Sequence, residues 1–274
     1  PSRARDDLHR TDRETDDLGD PECTVFQMDY TFASDDGRDA ATVLAIINTS
    51  TGYANAARVP KKGGHTFSVQ WVQKQLERSS ARKIVLQTDP EASIVEVANK
   101  AATAKKPVTC RTTPVDSHQS NGHIERYFGT FHGQVRAVRL ELEKSLGVTI
   151  APAGPLMTWV VRHAAWLLPR YQTWHGKTPF LRDRGHECRH DLARFGEHVW
   201  ARQPKALNAR KWRPRWKAGC WVGIDESSGE HLVISAESGE VSRVRCVRRQ
   251  SDTNRVTHRC PILLGLMATP WHAK

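Results

Sequence analysis

Apolar positions change their period twice along the chain. Residues 1–23 hold almost no apolar side chains and many mixed charges, which predicts a disordered acidic leader. From Thr24 to Phe32 the residues are β-branched and aromatic and read as a strand. A turn over Ser34–Asp39, a buried strand over Ala41–Asn48 and a third strand over Tyr53–Val59 complete an antiparallel meander. Phe67, Val69, Trp71, Val72 and Leu76 then take a helical spacing to about Arg78. Lys83–Thr88 reads as a fourth strand ending at Asp89. Pro90 and Glu91 open a second helix with Asp89 as its N-cap, and Pro107–Thr112 is a fifth short strand. A meander followed by strand–helix alternation predicts an α/β fold with a mixed five-stranded sheet and flanking helices.

A longer helical period follows. Ile124, Tyr127, Phe128, Phe131, Val135, Val138 and Leu142 form one apolar stripe, and Glu125 sits at its edge. Another helix, rich in Trp and Ala, runs from about Leu156 to Trp174, and Gly176-Lys177-Thr178-Pro179 closes the unit near residue 180. Residues 181–196 read as a linker. From Glu197 the apolar runs become short and are separated by turns such as Asp225–Gly229 and Glu237–Gly239. That pattern predicts a small β-barrel over 197–250, with 251–274 as a tail.

The chain has 274 residues, enough for two compact units. No apolar run approaches the ~18 residues of a membrane span, and the leader lacks the apolar core of a signal peptide, so the expectation is a protein that is not secreted. The chain begins at Pro1, which suggests a processed product, a fragment or an excerpt. Its six cysteines are scattered without a C-x-x-C pair, which fits a reducing compartment. His186, Cys188 and His190 lie close together, but a second ligand pair is lacking, so a solvated loop is the plainer reading than zinc.

The net charge of +11 is densest beyond residue 200 and points to a polyanion, most plausibly nucleic acid, with simple solubility as the alternative. Lys211-Trp212-Arg213-Pro214-Arg215-Trp216-Lys217 alternates cations with Trp, a pattern able to bind phosphate and stack on bases. The competing reading packs Trp212 and Trp216 on the barrel. Arg243 and Arg245 add a basic edge on one strand face.

Three carboxylates stand out. Asp29 lies inside an apolar strand, where Asp is disfavoured unless paired, liganded or at an edge. Asp89 alone is a good helix cap, and Glu125 alone is an ordinary helix-edge residue. Together they change meaning. Asp29 and Asp89 belong to strands that can be neighbours in a mixed sheet, and a helix across the same end can bring in Glu125. Such a cluster repels itself and calls for cations. Oxygen ligands suit Mg²⁺ or Mn²⁺, and two such ions ~3.5–4 Å apart support phosphoryl transfer.

Gln27-Met28-Asp29, Gln87-Thr88-Asp89 and His118-Gln119-Ser120-Asn121-Gly122-His123-Ile124-Glu125-Arg126, with 35 residues between the last two acids, resemble the D,D-35-E signature of retroviral and LTR-retrotransposon integrases. His163-Ala164-Ala165-Trp166-Leu167, Gly176-Lys177-Thr178-Pro179-Phe180 and the basic β unit with Val222-Gly223-Ile224 are similar to the downstream part of copia-type integrase regions. The likeness spans roughly residues 24–250. It implies an RNase H-like catalytic core over 24–180, then an SH3-like β-barrel that binds DNA. It also implies two Mg²⁺ or Mn²⁺ ions on Asp29, Asp89 and Glu125, and joining of element 3′ ends to a target duplex by a homo-multimer. The nucleus would be the site of action, reached by way of a cytoplasmic particle, with no membrane partner. Asn121 and His118 in the loop before Glu125, with Arg126, Arg136 and Arg139 on its helix, would meet DNA, as would Lys211, Trp212, Arg213, Arg215, Trp216, Lys217, Arg243 and Arg245.

The chain also departs from the pattern. Pro90-Glu91 replaces the common Asn-Gly, Gly129 and His132 stand where relatives often carry Lys, and the preceding His-His-Cys-Cys zinc unit is represented only by His9 and Cys23. Two alternatives stay open: a decayed or domesticated nucleic-acid-binding relic, and an RNase H-like nuclease that cleaves without joining.

Overall fold

The computed structural model describes residues 23–33, 41–103, 107–114, 121–203, 214–249 and 263. The leader 1–22, His118, Lys211, Trp212, Arg213 and nearly all of 251–274 therefore lie outside the described residues. The tail is represented by Leu263, which is buried in the main core.

The described residues form, in order, β1 (Cys23–Ala33), β2 (Ala41–Asn48), β3 (Ala54–Arg58), α1 (Thr66–Arg78), β4 (Lys83–Thr88), α2 (Ala92–Ala101), β5 (Val108–Thr112), α3 (Gly122–Leu146), α4 (Pro155–Tyr171), α5 (Pro179–Arg184), β6 (His198–Arg202), β7 (Trp216–Ile224), β8 (His231–Ser235), β9 (Val241–Val244) and β10 (Val247–Arg249). The first sheet has the order β3-β2-β1-β4-β5. β1 pairs antiparallel with β2 and parallel with β4, so the sheet is mixed and β1 is its central strand. With helices on both faces, this is the RNase H-like architecture expected from the sequence.

Strand alternation assigns the two faces. Phe26, Met28, Tyr30, Leu44 and Ile46 point to one side and pack with α1 and α2 through Val72, Leu76, Ile94 and Val97. Val43, Ala45 and Ile47 point to the other, under α3 and α4. α3 buries Ile124, Tyr127, Phe131, Val135, Val138 and Leu142, a stripe at intervals of three and four, and stops at Gly147 in the left-handed conformation (φ 68°). α4 has almost no free face: Leu156, Met157, Trp159, Val160, Val161, Ala164, Ala165 and Leu168 are all buried. The reason is that α4 lies between β3 on one side and β7 on the other. It ends at Tyr171, short of the expected Trp174. Pro169 in its last turn cannot donate to the turn before, and Gln172 is extended.

Two further expectations are corrected. The linker 181–196 begins inside a helix: Pro179 occupies the first turn of α5, and Thr178 Oγ1 caps it by accepting from the Leu181 amide at 3.1 Å. Asp89 is not the cap of α2. That helix starts at Ala92 with Glu91 at the cap position.

The second sheet is antiparallel, in the order β10-β6-β7-β8-β9. It is compatible with the small β unit expected there. A bulge between Trp221 and Gly223 bends β7 where Gly223 takes φ 133°. Its Cys220, Val222, Leu232 and Ile234 join the same apolar cluster as α3 and α4. The turn after β7 adds polar ties. Glu226 accepts from Arg78 Nη1 at 2.5 Å and from Asn55 Nδ2 at 2.8 Å, while Arg162 Nη2 reaches Asp225 at 3.5 Å. Burial works against the Asp225 carboxylate, but hydrogen bonds from Ser227 and Ser228 and the Arg162 charge outweigh it and hold its pKa down at about 2. No helix among the described residues is long and apolar enough to cross a membrane.

Glu226→Ala leaves Arg78 and Asn55 without their shared acceptor. The expected loss is about 2–3 kcal/mol, read as a melting temperature lower by roughly 5–10 °C. Glu226→Gln keeps an acceptor for Asn55 and should lose less. Identical melting of Glu226→Ala and wild type would show that the seam does not depend on this carboxylate.

Candidate active site

β1 and β4 run parallel with Gln27 opposite Gln87 and Met28 opposite Thr88. The next residues are Asp29, still within β1, and Asp89, which directly follows the end of β4. The pairing therefore sets the two aspartates side by side at one end of the sheet. Both are half-buried. Asp29 Oδ1 accepts from the Tyr30 amide at 2.7 Å. Asp89 Oδ1 accepts from Thr113 Oγ1 at 3.0 Å and from Asn121 Nδ2. These bonds, and not a capping role, are what the Asp89 carboxylate serves.

Burial lifts the pKa of Asp29 from 3.8 to about 6. The Tyr30 amide opposes the rise, the negative charges of Asp89 and Glu91 add to it, and Lys62 again opposes it. Lys62 Nζ is itself paired with Glu91 at 2.7 Å and lies over the rings of Tyr30 and Phe32. Lys62 is thus a member of the site's electrostatic surroundings.

α3 lies along β1 on the side of Asp29. The Ile124 amide donates to Gln27 Oε1 at 3.1 Å, and His132 Nε2 meets Thr31 Oγ1 at 2.9 Å. From Gln27 to Thr31 the strand advances about 13 Å, and from Ile124 to His132 the helix advances about 12 Å. Strand and helix therefore keep company. Asp29 falls midway between the two contacts, on the same strand face. Glu125 is on the first turn of α3, two turns before His132 on one helix stripe. Its side chain is exposed. The structure thus brings Asp29 and Asp89 together and places Glu125 on the helix start that packs beside them. Among the described residues, no group of three or more His, Cys, Asp or Glu side chains stands assembled for a metal, the His186–Cys188–His190 segment included.

The residues expected to meet DNA divide. Asn121 is buried at 3% exposure and bridges Asp89 and Gln87, so its amide faces inward and is not presented to a ligand from outside. Arg126 and Arg136 are exposed on α3. Arg139 is paired with Glu143 at 2.9 Å, and Glu143 also accepts from the Ile150 amide, so Arg139 has a structural partner. On the second sheet Arg215 and Arg243 are exposed, Lys217 pairs with Glu237 at 2.7 Å, and Arg245 stands out from the surface with Glu230 at 3.5 Å. Trp216 is half-buried, with the Arg248 guanidinium over its ring at 4.4 Å. His118, Lys211, Trp212 and Arg213 lie outside the described residues.

Four contributors escaped the sequence reading: Gln27, Gln87, Thr113 and Lys62. A signal for the first two was present in the repeated Gln-x-Asp of β1 and β4.

Folding takes up a proton on Asp29 between pH 3.8 and about 6 that the unfolded chain gives up. Asp29's stabilising share is therefore complete below pH 3.8 and is lost as pH rises through 6. In chelator at pH 7.5, Asp29→Asn should be more stable than wild type by about 1–2 kcal/mol, allowing for partial solvent screening. The advantage should vanish below pH 4, which urea melts across that range would check.

No protein-family model matches the sequence, and no curated protein matches it. Among solved structures, the chain is similar to the HTLV-2 integrase catalytic core domain in complex with magnesium, at 15% identity and a TM-score of 0.44, covering 58% of this chain and 95% of that one. It is also similar to the catalytic core domain of BIV integrase, at 15% identity and a TM-score of 0.40, over 58% and 92% of the two chains. A third similar structure is the simian T-cell lymphotropic virus intasome in complex with the PP2A regulatory subunit B56 gamma, at 13% identity and a TM-score of 0.45, over 86% and 79%.

Proposed function

We propose that this protein is a DNA integrase of the LTR-retrotransposon type, copia-like, joining element 3′ ends to a target duplex. The observation that carries this reading is the in-register placement of Asp29 beside Asp89, with the first turn of α3 pinned next to them. Two adjacent carboxylates, one of them forced up to about 6 mainly by burial, are a poor arrangement for a metal-free surface and a good one for divalent cations. The donor set is oxygen only, which fits Mg²⁺ or Mn²⁺.

Asp29, Asp89 and Glu125 would hold the ions. Bound there, two divalent cations supply charge stabilisation for an in-line displacement at phosphorus. The rest of the work belongs to the chain. Thr113 and Asn121 orient Asp89, and the Tyr30 amide orients Asp29. Arg126 and Arg136, exposed on α3, would take phosphates, and the exposed cations of the second sheet would take them farther along the duplex. A 3′-hydroxyl held in line attacks a target phosphodiester, and the displaced 3′-oxygen leaves. Geometry then supplies much of the rate without a protein nucleophile. A homo-multimer acting on paired DNA ends in the nucleus completes the proposal.

A second reading keeps the fold as a nucleic-acid-binding relic. It draws on Pro90-Glu91, where Glu91 brings a further negative charge toward Asp29 and is tied to Lys62.

Strand transfer of a labelled oligonucleotide end into plasmid DNA separates these readings. Wild type should join in Mg²⁺ or Mn²⁺, and Glu125→Gln should fall at least 100-fold. Equal activity of the two would sink the triad. Cleaved but unjoined products would point to a nuclease, and metal-independent binding without products to the relic. Arg215→Ala, Arg243→Ala and Arg245→Ala combined should lower the slope of log affinity against log salt by about two to three. An unchanged slope would remove the second sheet from the DNA path.

A further inference from the structure

We infer that Gln27 and Gln87 are a paired positioning device that fixes the first turn of α3, and with it Glu125, against the Asp29–Asp89 pair. The inference deepens the metal-site reading above and rests on it. Its starting point is the duplicated Gln-x-Asp, Gln27-Met28-Asp29 on β1 and Gln87-Thr88-Asp89 along β4. The two glutamines are register partners across the parallel pair. Each is only 5% exposed. Alternation points them to the same face as the two aspartates.

A buried carboxamide is costly unless its polar atoms are paired, and an apolar side chain would fill the same space without that cost. Both amides are turned to the start of α3. The opening amides of a helix have no partner inside it, and the residue before the first turn commonly supplies one. Here that residue, Asn121, makes no capping bond. Its side chain is turned to Asp89 and accepts from Gln87 Nε2 at 3.4 Å. The vacant capping role passes to Gln27, whose Oε1 accepts from the Ile124 amide across 97 positions of sequence. Gln87 is in turn held by Arg111 Nε at 2.8 Å. The helix start is thus tied to the sheet at residue 121 through β4 and at residue 124 through β1. Glu125 is the next residue.

Gln27→Met and Gln87→Met keep the length of the side chain and remove the amide. In Gln27→Met, hydrogen exchange at the Ile124 amide should quicken at least tenfold, while exchange over Arg136–Leu142 stays at the wild-type rate. Mn²⁺ binding, followed by the ion's paramagnetic resonance signal, should weaken about tenfold in either variant. The kcat of strand transfer should fall about tenfold or more, with the KM for DNA unchanged. Gln27→Glu retains an acceptor oxygen and should restore protection at Ile124. Unchanged exchange at Ile124 would overturn the capping role. Faster exchange with wild-type Mn²⁺ affinity would overturn the positioning role. The parent reading fails by a different sign: Glu125→Gln would bind Mn²⁺ as tightly as wild type, whatever the exchange at Ile124.

Discussion

The parallel pairing of β1 with β4 is the constraint on which the rest depends. It sets Asp29 and Asp89 next to each other, and it does so inside a sheet whose central strand is covered on both faces. Two like charges in such a place oppose folding. The structure answers with short-range donors: the Tyr30 amide for Asp29, and Thr113 and Asn121 for Asp89. Among the described residues it does not answer with a buried cation on either carboxylate. Lys62 acts from the side and is shared with Glu91. On the proposed reading, the remaining repulsion is what would make the pair a receptor for divalent cations, and relieving it by a cap or a surface salt bridge would remove that property.

How much of this was legible follows from the range of each interaction. The strands and helices of the first sheet were readable because their signals are local: β-branched runs for β1 and β2, and the three-and-four spacing of Ile124 to Leu142 for α3. Asp89 was misread because Asp-Pro-Glu is a strong local helix start. What overrode it was tertiary: Asn121 and Thr113 reach Asp89 from elements more than twenty positions away. Asn121, expected to face DNA, has its side chain turned inward to Asp89 and Gln87, which nothing local reveals. The start of α5 shows the opposite lesson. Thr178-Pro179 is a local cap-and-first-turn signal, and taking it for a terminator placed the linker inside a helix.

The second sheet was legible as strands but not as a packed partner of the first. Its attachment uses α4, whose buried residues point in every direction because each side meets a sheet. A helix apolar on all sides is the mark of such a position, and the Trp- and Ala-rich run from Leu156 carries it. Glu226 was invisible for a different reason. Asp225-Glu226-Ser227-Ser228-Gly229 has the composition of a solvated turn, and its function as an acceptor for Arg78 and Asn55 depends on residues 148 and 171 positions away. Two kinds of contact thus fix the second sheet to the first: apolar area through Cys220, Val222, Leu232 and Ile234, and directional charge through Asp225 and Glu226.

That attachment bears on how a chain of net charge +11 can hold an acidic site. At physiological salt a charge is screened within about 8 Å. On the proposed reading, exposed cations of the second sheet would bind phosphate where they stand, and only charges within that length would act on the carboxylates. Lys62 is near enough to be felt by Asp29, and it lowers the carboxyl's pKa only against the larger effect of burial. On the proposed reading, affinity and chemistry are held apart: a DNA duplex would be gripped by exposed arginines on one sheet while the aspartates of the other keep an unbalanced charge for divalent cations. On that reading, the packed seam along α4 would let the two act on one substrate, because a grip on a loosely tethered sheet would not hold a phosphodiester in register with Asp29 and Asp89.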